Sequence, residues 1–552
     1  MFRQCTPPVG WPRNIGVATS GGPDSSCLLF LIHRYLSEEK SERTQRVFSL
    51  TVDHALQPTS AAMAEHCSKF AQRLGVEHVT SKIDWVQPPV SSEPFEAAAR
   101  AARYQALFNS MTEKDIDTLA FGHHIDDQVE TSLLRLSWGS TNLGAAGMKY
   151  CRRWGMGWLK DGLSEYGLEG MNRWIVRPLL DVSKDRILAT CEANNLQYVV
   201  DQTNFQPGIT LRNAIRHEIQ ANARNQPQTP MSMLPQDIVK RLMNLEIVAR
   251  SLRNVSMSLD SSIEELRTGV RVLSQEARDI DDRVDSVLRS CSISTFPGTF
   301  LCSGMALHQV ENYDVRRALV LRVLRYVSPN PWGSVNADAG RRRDAISQIT
   351  KQLWTRMTKK SRIHSFNAGG GVLWSPVVVR GNEIKMPKIV ISEFFSEGDM
   401  LGWIAYRAPP LHQRKLDQQG IANTLEIDVT KIIVDAYWRK GNGGPSTTSI
   451  LYDCRFLLTF DLDKIPQDLI SCLLNNPANN NRLVLLPRTR WFLPSVVIEQ
   501  DGVAKMLHEK LSEEPKSSVF PIPKRQYRKR DGAEEIDSGW VMTQWVRPLT
   551  AI

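Results

Sequence analysis

Cysteine is scarce in this chain and is nowhere arranged for metal or redox chemistry. The 552 residues include nine cysteines, and the closest pair, Cys291 and Cys302, lies eleven positions apart. The absence of a Cys-x-x-Cys motif excludes zinc ribbons, iron–sulfur cradles and thioredoxin-type redox motifs. So low a cysteine content is typical of a reducing compartment.

Long apolar runs are also missing. No stretch approaches the roughly 18 uncharged apolar residues that a membrane span needs, and the N-terminus carries no secretory signal. Hydrophobic residues still make up 42% of the chain, which excludes wholesale disorder. We therefore expect a soluble intracellular protein with no membrane partner, in the cytoplasm or, in a eukaryote, in the mitochondrion. No feature predicts an oligomeric state.

The net charge of +9 is unevenly distributed. Residues 1–225 contain 24 basic and 24 acidic side chains, whereas residues 226–552 contain 44 basic and 35 acidic ones. This asymmetry suits a catalytic part joined to a part that grips a polyanion. Charge alone leaves the alternative open that the excess only keeps the protein soluble.

Short β-rich runs alternate with helical patterns over the first 225 residues. Strands are predicted at 15–19, 47–52, 78–83 and 118–122, and helices at 25–36, 60–74, 94–108 and 126–136. Strands separated by helices of this length form βαβ units, which predicts an α/β fold with a doubly wound parallel sheet. Ligands of such sheets bind at the carboxyl ends of the strands.

The rest of the chain divides into two regions. Residues 226–362 are helical and basic, and residues 363–552 have a mixed α+β pattern. Within the first part, Gly139 to Asn172 is rich in Gly, Trp and Arg without clean periodicity, which predicts a long loop or insertion near the site. We expect a catalytic domain in 1–225, a helical linker region in 226–362 and an α+β region in 363–552.

A glycine-rich loop follows the first predicted strand and opens the first helix. Glycines allow the backbone to approach an anion closely, and a helix N-terminus offers unpaired N–H groups. This favours a phosphate cradle over an ordinary Gly-Gly turn that merely caps the helix. It is not a Walker loop, because no Gly-Lys-Ser/Thr follows. The cradle residues are Ser20, Gly21, Gly22, Pro23, Asp24 and Ser25.

Two acidic residues follow the fourth predicted strand. Asp127 and Glu130 are three positions apart, so they share one face of the next helix. Nearby carboxylates suit either a divalent metal or the ammonium of an amine substrate. A zinc site built from His123 and His124 is disfavoured, because adjacent histidines point in different directions. No metal ligand is assigned.

The cradle resembles the PP-loop, Ser-Gly-Gly-x-Asp-Ser, of the N-type ATP pyrophosphatases. Further motifs in the same order resemble the tRNA(Ile)-lysidine synthetase family over about residues 14–220. The family's Val-Asp-His-Gly-Leu-Arg stands here as Val52-Asp-His-Ala-Leu-Gln57. The other matching strings are Glu96-Ala-Ala-Ala-Arg-Ala-Ala-Arg-Tyr104, Gly122-His-His-Ile-Asp-Asp-Gln-Val-Glu-Thr131, Arg177-Pro-Leu-Leu180 and Arg212-Asn-Ala-Ile-Arg216.

The resemblance implies a PP-loop, Rossmann-like ATPase domain that uses ATP and Mg²⁺. It implies ligation of free L-lysine to C2 of an anticodon cytidine in tRNA, through an adenylated intermediate. In this family-derived scheme Asp127 and Glu130 hold the lysine, while Arg103 and Arg212 stabilise charge on the intermediate. The implied catalytic residues are Asp24, Arg103, Asp127, Glu130 and Arg212.

Two other functions fit parts of the sequence. A tRNA thiolation enzyme of the same superfamily would use cysteines near the site, and only Cys27, Cys67 and Cys151 lie at suitable positions. A non-catalytic RNA-binding protein with a relic nucleotide fold is the other alternative. The intact cradle argues against decay of the site.

Two basic clusters lie in the C-terminal part. Residues 341–362 hold eight basic side chains against one acid, and Lys524 to Arg530 encloses Tyr527. Such runs suit a phosphate backbone with an aromatic side chain to stack on a base. The alternatives are a solvated face for the first and a flexible or import-like segment for the second. The predicted tRNA contacts are Arg341, Arg342, Arg343, Lys359 and Lys360.

Overall fold

A computed structural model describes the chain in two compact units. The first holds residues 1–155 and 169–280, and the second holds residues 156–168 and 281–551. The three-part division expected above therefore stays a prediction. The described residues are 1–38, 45–56, 59–85, 93–155, 166–200, 210–223, 231–250, 252, 255, 257–332, 334, 337, 340–355, 362–380, 383–387, 389–391, 396, 398–409, 425–474, 481–487, 491–500, 503–508 and 539–550.

A six-stranded sheet forms the centre of the first unit, in the order β3-β2-β1-β4-β6-β5. Its strands are parallel except for β5, which runs antiparallel to β6. The predicted α/β fold with a doubly wound sheet is confirmed. Strand order reverses between β1 and β4, where such sheets open a crevice for ligands. The strands are β1 (Asn14–Ala18), β2 (Arg46–Asp53), β3 (Glu77–Lys82), β4 (Thr118–Ala120), β5 (Cys151–Arg153) and β6 (Trp174–Val176).

The helices between these strands agree closely with the periodicity of the sequence. β1 is buried on both faces, because Ile15 and Val17 on one face and Gly16 on the other are all buried, as a central parallel strand requires. The helices up to the chain midpoint are α1 (Phe2–Cys5), α2 (Pro23–Glu38), α3 (Ser60–Arg73), α4 (Glu93–Glu113), α5 (Ile125–Ser137), α6 (Asn142–Ala145), α7 (Gly167–Asn172), α8 (Lys184–Ala193), α9 (Leu211–Ala223), α10 (Gln236–Arg250) and α11 (Ile263–Cys291), with a 3₁₀ turn at Met231–Met233.

The segment 139–172, expected to be a loop, contains regular structure. It holds α6, β5 and α7, and β5 pairs with β6 through Cys151↔Val176 and Arg153↔Trp174. The expectation of a loop was wrong for these residues. A strand of three residues is too short to show periodicity, and only pairing with β6 defines it.

Helices beyond residue 230 pack against the catalytic part of the first unit. One apolar core joins Val129 and Leu133 of α5, Ile215 of α9, Leu242 of α10 and Leu266 of α11. The sequence pattern showed that these segments are helical. Their packing on α5 depends on contacts between segments more than 100 residues apart, which periodicity does not reveal.

The second unit is α+β, as expected for the C-terminal region. Its sheets are antiparallel, in the orders β10-β11-β14-β8-β7 (with β12 on β11), β13-β9, β15-β18-β19-β20 and β16-β17-β21. The strands are β7 (Ser292–Ile293), β8 (Thr299–Ser303), β9 (Arg362–His364), β10 (Phe366–Asn367), β11 (Val372–Arg380), β12 (Glu383–Lys385), β13 (Ile389–Ile391), β14 (Met400–Arg407), β15 (Ile427–Asp428), β16 (Thr447–Tyr452), β17 (Phe456–Asp461), β18 (Arg482–Pro487), β19 (Pro494–Gln500), β20 (Val503–His508) and β21 (Val541–Trp545).

Apolar faces of these sheets and of two helices share one core, including Leu301, Tyr452 and Leu485. Across the described ranges, no helix is both long and apolar enough to cross a membrane. The helices of the unit are α12 (Gly304–His308), α13 (Tyr313–Val327), α14 (Arg343–Leu353), α15 (Thr430–Gly441) and α16 (Gln467–Leu474).

Candidate active site

The glycine-rich loop lies between β1 and α2, at the carboxyl edge of the sheet. Gly21 has a φ of +81°, a left-handed conformation that favours glycine. The Ser25 hydroxyl donates to the Gly22 carbonyl at 3.1 Å and accepts from the Ser20 N–H at 3.2 Å, which closes the loop on itself. Pro23 begins α2, where its fixed φ suits the first helical turn.

Gly22 has few close neighbours in the part of the chain that the structure describes. There, a Cβ built on it would come within 4 Å of the Ser20 Oγ alone, at 3.8 Å. Gly122, after β4, is different, because a Cβ there would lie 2.9 Å from the Asp24 carbonyl carbon. Glycine at 122 thus lets the end of β4 approach the loop, and glycine at 22 leaves the loop mouth clear.

Lys184 is paired with the loop aspartate. Its Nζ lies 2.6 and 2.8 Å from the two carboxylate oxygens of Asp24, which is 160 residues away in the chain. The sequence analysis did not single out this lysine. The only signal was its position at the start of α8, just after Arg177-Pro-Leu-Leu180.

His124 caps α5 and links three carboxylates. Its Nδ1 accepts from the Asp126 N–H at 3.2 Å, so the ring proton belongs on Nε2. That Nε2 lies 3.5 Å from an Asp127 oxygen and 3.7 Å from an Asp24 oxygen. The loop and the first turn of α5 are therefore connected through one imidazole.

The first turn of α5 is also fixed from α11. Arg267 donates to both oxygens of Asp126, at 2.6 and 3.0 Å. Burial opposes the charge of Arg267, but the bonds to Asp126 and Glu264 outweigh it and raise the pKa of the guanidinium. A residue of the predicted linker region thus orients a site helix, which sequence reasoning did not find.

Asp127 and Glu130 share a face of α5, as predicted, and α9 contributes two arginines beside them. Arg216 donates to both Glu130 oxygens, at 2.6 and 2.9 Å, and its Nη2 lies 3.9 Å from Asp127. Arg212 donates to the Thr131 hydroxyl at 3.2 Å and lies 3.7 Å from Glu130. The structure brings together Asp24, Asp127, Glu130 and Arg212.

The two carboxylates differ electrostatically. Burial alone would raise the pKa of Asp127, but the neighbouring His124 and His123 rings, the His124 backbone N–H and the charge of Arg212 lower it, so the group is ionised. Burial raises the pKa of Glu130 and the charge of Asp127 adds to this, while the Arg216 bond opposes it. The same bond raises the pKa of Arg216, and the two-point geometry indicates an ion pair.

Arg103, on α4, lies beside the motif that ends β2. Burial, followed by the charge of Arg103, lowers the pKa of His54. Asp53 accepts from the Ala55 N–H at 2.9 Å and from the Ser60 hydroxyl. Ala55 has a φ of +52°, a left-handed conformation at the position where the resembled family has glycine. Gln57, the Glu96 side chain and 201–204 lie outside the described residues.

The predicted tRNA contacts belong to the second unit. Arg341 to Arg343 precede and begin α14, where Arg342 and Arg343 are exposed. Lys359, Lys360 and the cluster Lys524 to Arg530 lie outside the described residues. Among the residues that the structure describes, no group of three or more His, Cys, Asp or Glu side chains could hold a metal ion.

These features define the class of the N-terminal part. A profile of the PP-loop domain family matches residues 5–223, which include the cradle, α5 and α9. This part of the chain is therefore similar to PP-loop domains.

Within that domain the chain is similar to curated tRNA(Ile)-lysidine synthases, as the motifs indicated. It is 34% identical over 193 residues to the enzyme of Hyphomonas neptunium, covering 35% of this chain and 47% of the relative. It is 36% identical over 195 residues to that of Methylobacterium nodulans, covering 35% and 50%. The chain thus spans about half the length of these relatives. Among solved structures, the U34-tRNA thiolase NcsA of Methanococcus maripaludis has 15% identity and a TM-score of 0.29, over 44% of this chain and 73% of that one.

Proposed function

We propose that the chain is an ATP-dependent tRNA(Ile)-lysidine synthetase, which joins free L-lysine to C2 of the wobble cytidine of tRNA(Ile). The observation that carries the proposal is the carboxylate pair of Asp127 and Glu130, bridged by His124 to Asp24 in the PP-loop. The similarity to curated enzymes of that name over the same domain supports the choice of substrates.

In the first half-reaction, ATP would lie on the loop of residues 20–25 and adenylate the cytidine O2. The loop N–H groups and the α2 N-terminus would face the phosphates. Magnesium that arrives with nucleotide phosphates needs only one or two protein carboxylates. Asp24 fits that requirement, and the ion would neutralise charge on the departing pyrophosphate. Lys184 would hold Asp24 in place.

In the second half-reaction, the lysine ε-amine would displace AMP from the cytidine. A free lysine amine is almost fully protonated at neutral pH, so the site must orient it and take up a proton. Asp127, kept ionised by its neighbours, is suited to hold the ammonium. Glu130 would also contact the ammonium once its ion pair with Arg216 is broken. Arg103 and Arg212 would stabilise charge on the adenylated intermediate.

The cysteines argue against thiolation. Cys27, Cys67 and Cys151 are buried. Burial raises the pKa of the Cys27 and Cys151 thiols to about 12 and also raises that of Cys67. A sulfur carrier works as a thiolate, which burial of this kind suppresses.

The function is tested by AMP release from α-labelled ATP. We expect release only when a tRNA with a wobble cytidine and L-lysine are both present, and none with the same tRNA carrying uridine at that position. Sulfide-dependent release without lysine would replace the proposal with thiolation. Absence of turnover in a protein that still binds tRNA would favour the non-catalytic alternative.

The basic start of α14 carries a separate prediction. Changing Arg341, Arg342 and Arg343 to alanine should weaken tRNA binding and flatten its log–log salt dependence, by somewhat under one unit per lost phosphate contact. The reason is that the first 225 residues have no net charge with which to hold a polyanion.

Binding is measured by titrating tRNA at several salt concentrations. Lys464 and Arg482 are suitable controls, since both are exposed and already paired with acids of the same unit. Changing these two to alanine should leave the salt slope near that of the wild type. An unchanged affinity and slope for the triple variant would assign Arg341–Arg343 to solubility.

A further inference from the structure

Two arginines share one face of the sheet beside the carboxylate pair. Arg152 of β5 pairs with Ile175 of β6, two residues before Arg177. The Arg177 N–H continues the ladder by donating to the Tyr150 carbonyl at 2.8 Å. Because side chains alternate along a strand, Arg152, Ile175 and Arg177 face the same side.

These arginines carry buried hydrogen-bond donors that are not used. Arg177 is 4% exposed and donates from Nη1 to the Lys149 carbonyl at 2.8 Å. Within the described part of the chain, its Nε, the Nε of Arg152 and the Nδ1 of His123 are buried without a hydrogen-bond partner. The described carboxylates likewise form no ion pair with Arg152 or Arg177.

Aromatic rings wall this positive cluster. Tyr104 is 1% exposed, and its ring centroid lies 5.7 Å from that of Phe121 and 5.3 Å from that of Trp154. The Arg100 guanidinium lies 5.5 Å over the Tyr104 ring. A cationic cluster around one buried arginine, with further buried donors left unused, is costly unless an anion compensates it.

The positive charges of this cluster shift the pKa values of the groups within it. Burial, followed by the charge of Arg152, lowers the pKa of Arg177 to about 9. Burial should raise the pKa of Tyr104, but the charges of Arg100, Arg152, Arg177 and Arg103 lower it instead. Both shifts indicate a positive potential that an oxyanion would relieve.

We propose that Arg152 and Arg177 bind the α-carboxylate of the free amino-acid substrate. The inference rests on the proposed function and deepens it by assigning the other end of the lysine. The cluster adjoins the ammonium-binding pair, since His123 lies within electrostatic reach of both Arg177 and Asp127. An amino acid would place its carboxylate on the arginines and an amine on Asp127 and Glu130.

A carboxylate suits this place better than an RNA phosphate. A guanidinium fork matches the planar carboxylate at two points. A backbone phosphate would have to bring two nucleotides past Tyr104 and Trp154, which are 1% and 3% exposed. The enclosed walls therefore favour a small ligand.

The test compares L-lysine with cadaverine, which has both amines but lacks the carboxylate. In AMP-release kinetics, the wild type should have a cadaverine KM at least about tenfold above that of lysine, the loss expected for a missing charged hydrogen bond. Arg152→Gln should raise the lysine KM to near the cadaverine KM and leave the KM values of ATP and tRNA within about twofold. Isothermal titration of L-lysine and cadaverine, without turnover, should show the same loss of discrimination.

Arg153→Gln is the matched control. Arg153 is the next residue of β5, and its guanidinium lies 4.4 Å over the Trp174 ring, so the wild-type preference for lysine should persist. Arg177→Lys keeps the buried positive charge but loses the two-point geometry of the guanidinium. It should reduce the preference for lysine over cadaverine while the protein still folds.

The outcomes distinguish a failure of the carboxylate site from a failure of the proposed function. An active Arg152→Gln protein that still prefers lysine over cadaverine as strongly as the wild type overturns the carboxylate site alone. A raised tRNA KM with intact lysine preference overturns it in favour of a phosphate. A wild-type protein that neither binds lysine nor releases AMP with it overturns the proposed function, and the carboxylate assignment with it.

Discussion

Gly22→Val is expected to reduce pyrophosphate release by roughly a thousandfold or more, because loop donors that stabilise a transition state contribute about a hundredfold to a thousandfold each. Among the described residues, a Cβ at position 22 comes within 4 Å of the Ser20 Oγ alone, at 3.8 Å, so they leave room for a side chain. It would occupy the mouth of the cradle, where the phosphates approach the backbone. Gly21 is unsuited to this test, since its φ of +81° would add backbone strain.

The measurement is tRNA-dependent pyrophosphate release alongside the free energy of unfolding. The free energy of unfolding should change by no more than about 0.5 kcal/mol, as for a surface substitution. Gly441→Val is the control, because no described atom lies within 4 Å of a Cβ built on Gly441 and its φ is not positive. Near-normal release by a folded Gly22→Val protein would show that the loop does not hold the phosphates.

Glu130→Gln is expected to affect both stability and lysine binding. The substitution leaves Arg216 without its two-point carboxylate partner in a largely buried layer, where breaking an ion pair costs about 3 kcal/mol. If Glu130 also holds the lysine ammonium, the lysine KM should rise about tenfold or more while the ATP KM changes little. Denaturant unfolding and steady-state kinetics measure the two effects separately.

Two further variants separate the effect of Glu130 on stability from its effect on lysine binding. Glu130→Gln combined with Arg216→Gln removes both charges and should recover part of the stability but none of the lysine affinity. Glu218→Gln also changes a buried glutamate, but one that lies on α9 and not on α5. It should leave the lysine KM unchanged. Equal increases in the lysine and ATP KM values would assign Glu130 and Asp127 to a metal instead.

Local patterns predicted the catalytic sheet well. Strand β2 was expected at 47–52 and spans Arg46–Asp53, and α5 was expected at 126–136 and spans Ile125–Ser137. These elements are long, buried on a defined face and bounded by glycine or capping residues, so the sequence carries their signal. Strand β5 has three residues in an aperiodic segment and depends on pairing with β6, so it was missed.

Some features of the site were likewise predicted from the sequence, and others were not. The motifs identified the cradle and placed Asp127 and Glu130 on one helix face, since contacts three or four residues apart follow from helix geometry. The pairing of Lys184 with Asp24, of Arg267 with Asp126 and of Arg216 with Glu130 spans 86 to 160 positions.

The sequence by itself determined the class of the N-terminal domain, the order of its first four strands and of the helices between them, and the residues of the PP-loop. These follow from short-range periodicity and from the few residue types that permit a backbone to approach a phosphate. Only the tertiary structure decided which cations neutralise the site carboxylates, and that Arg152 shares one sheet face with the buried Arg177. Ion pairing and burial depend on which distant segments meet, and hydrophobic packing of whole helices and strands governs that meeting.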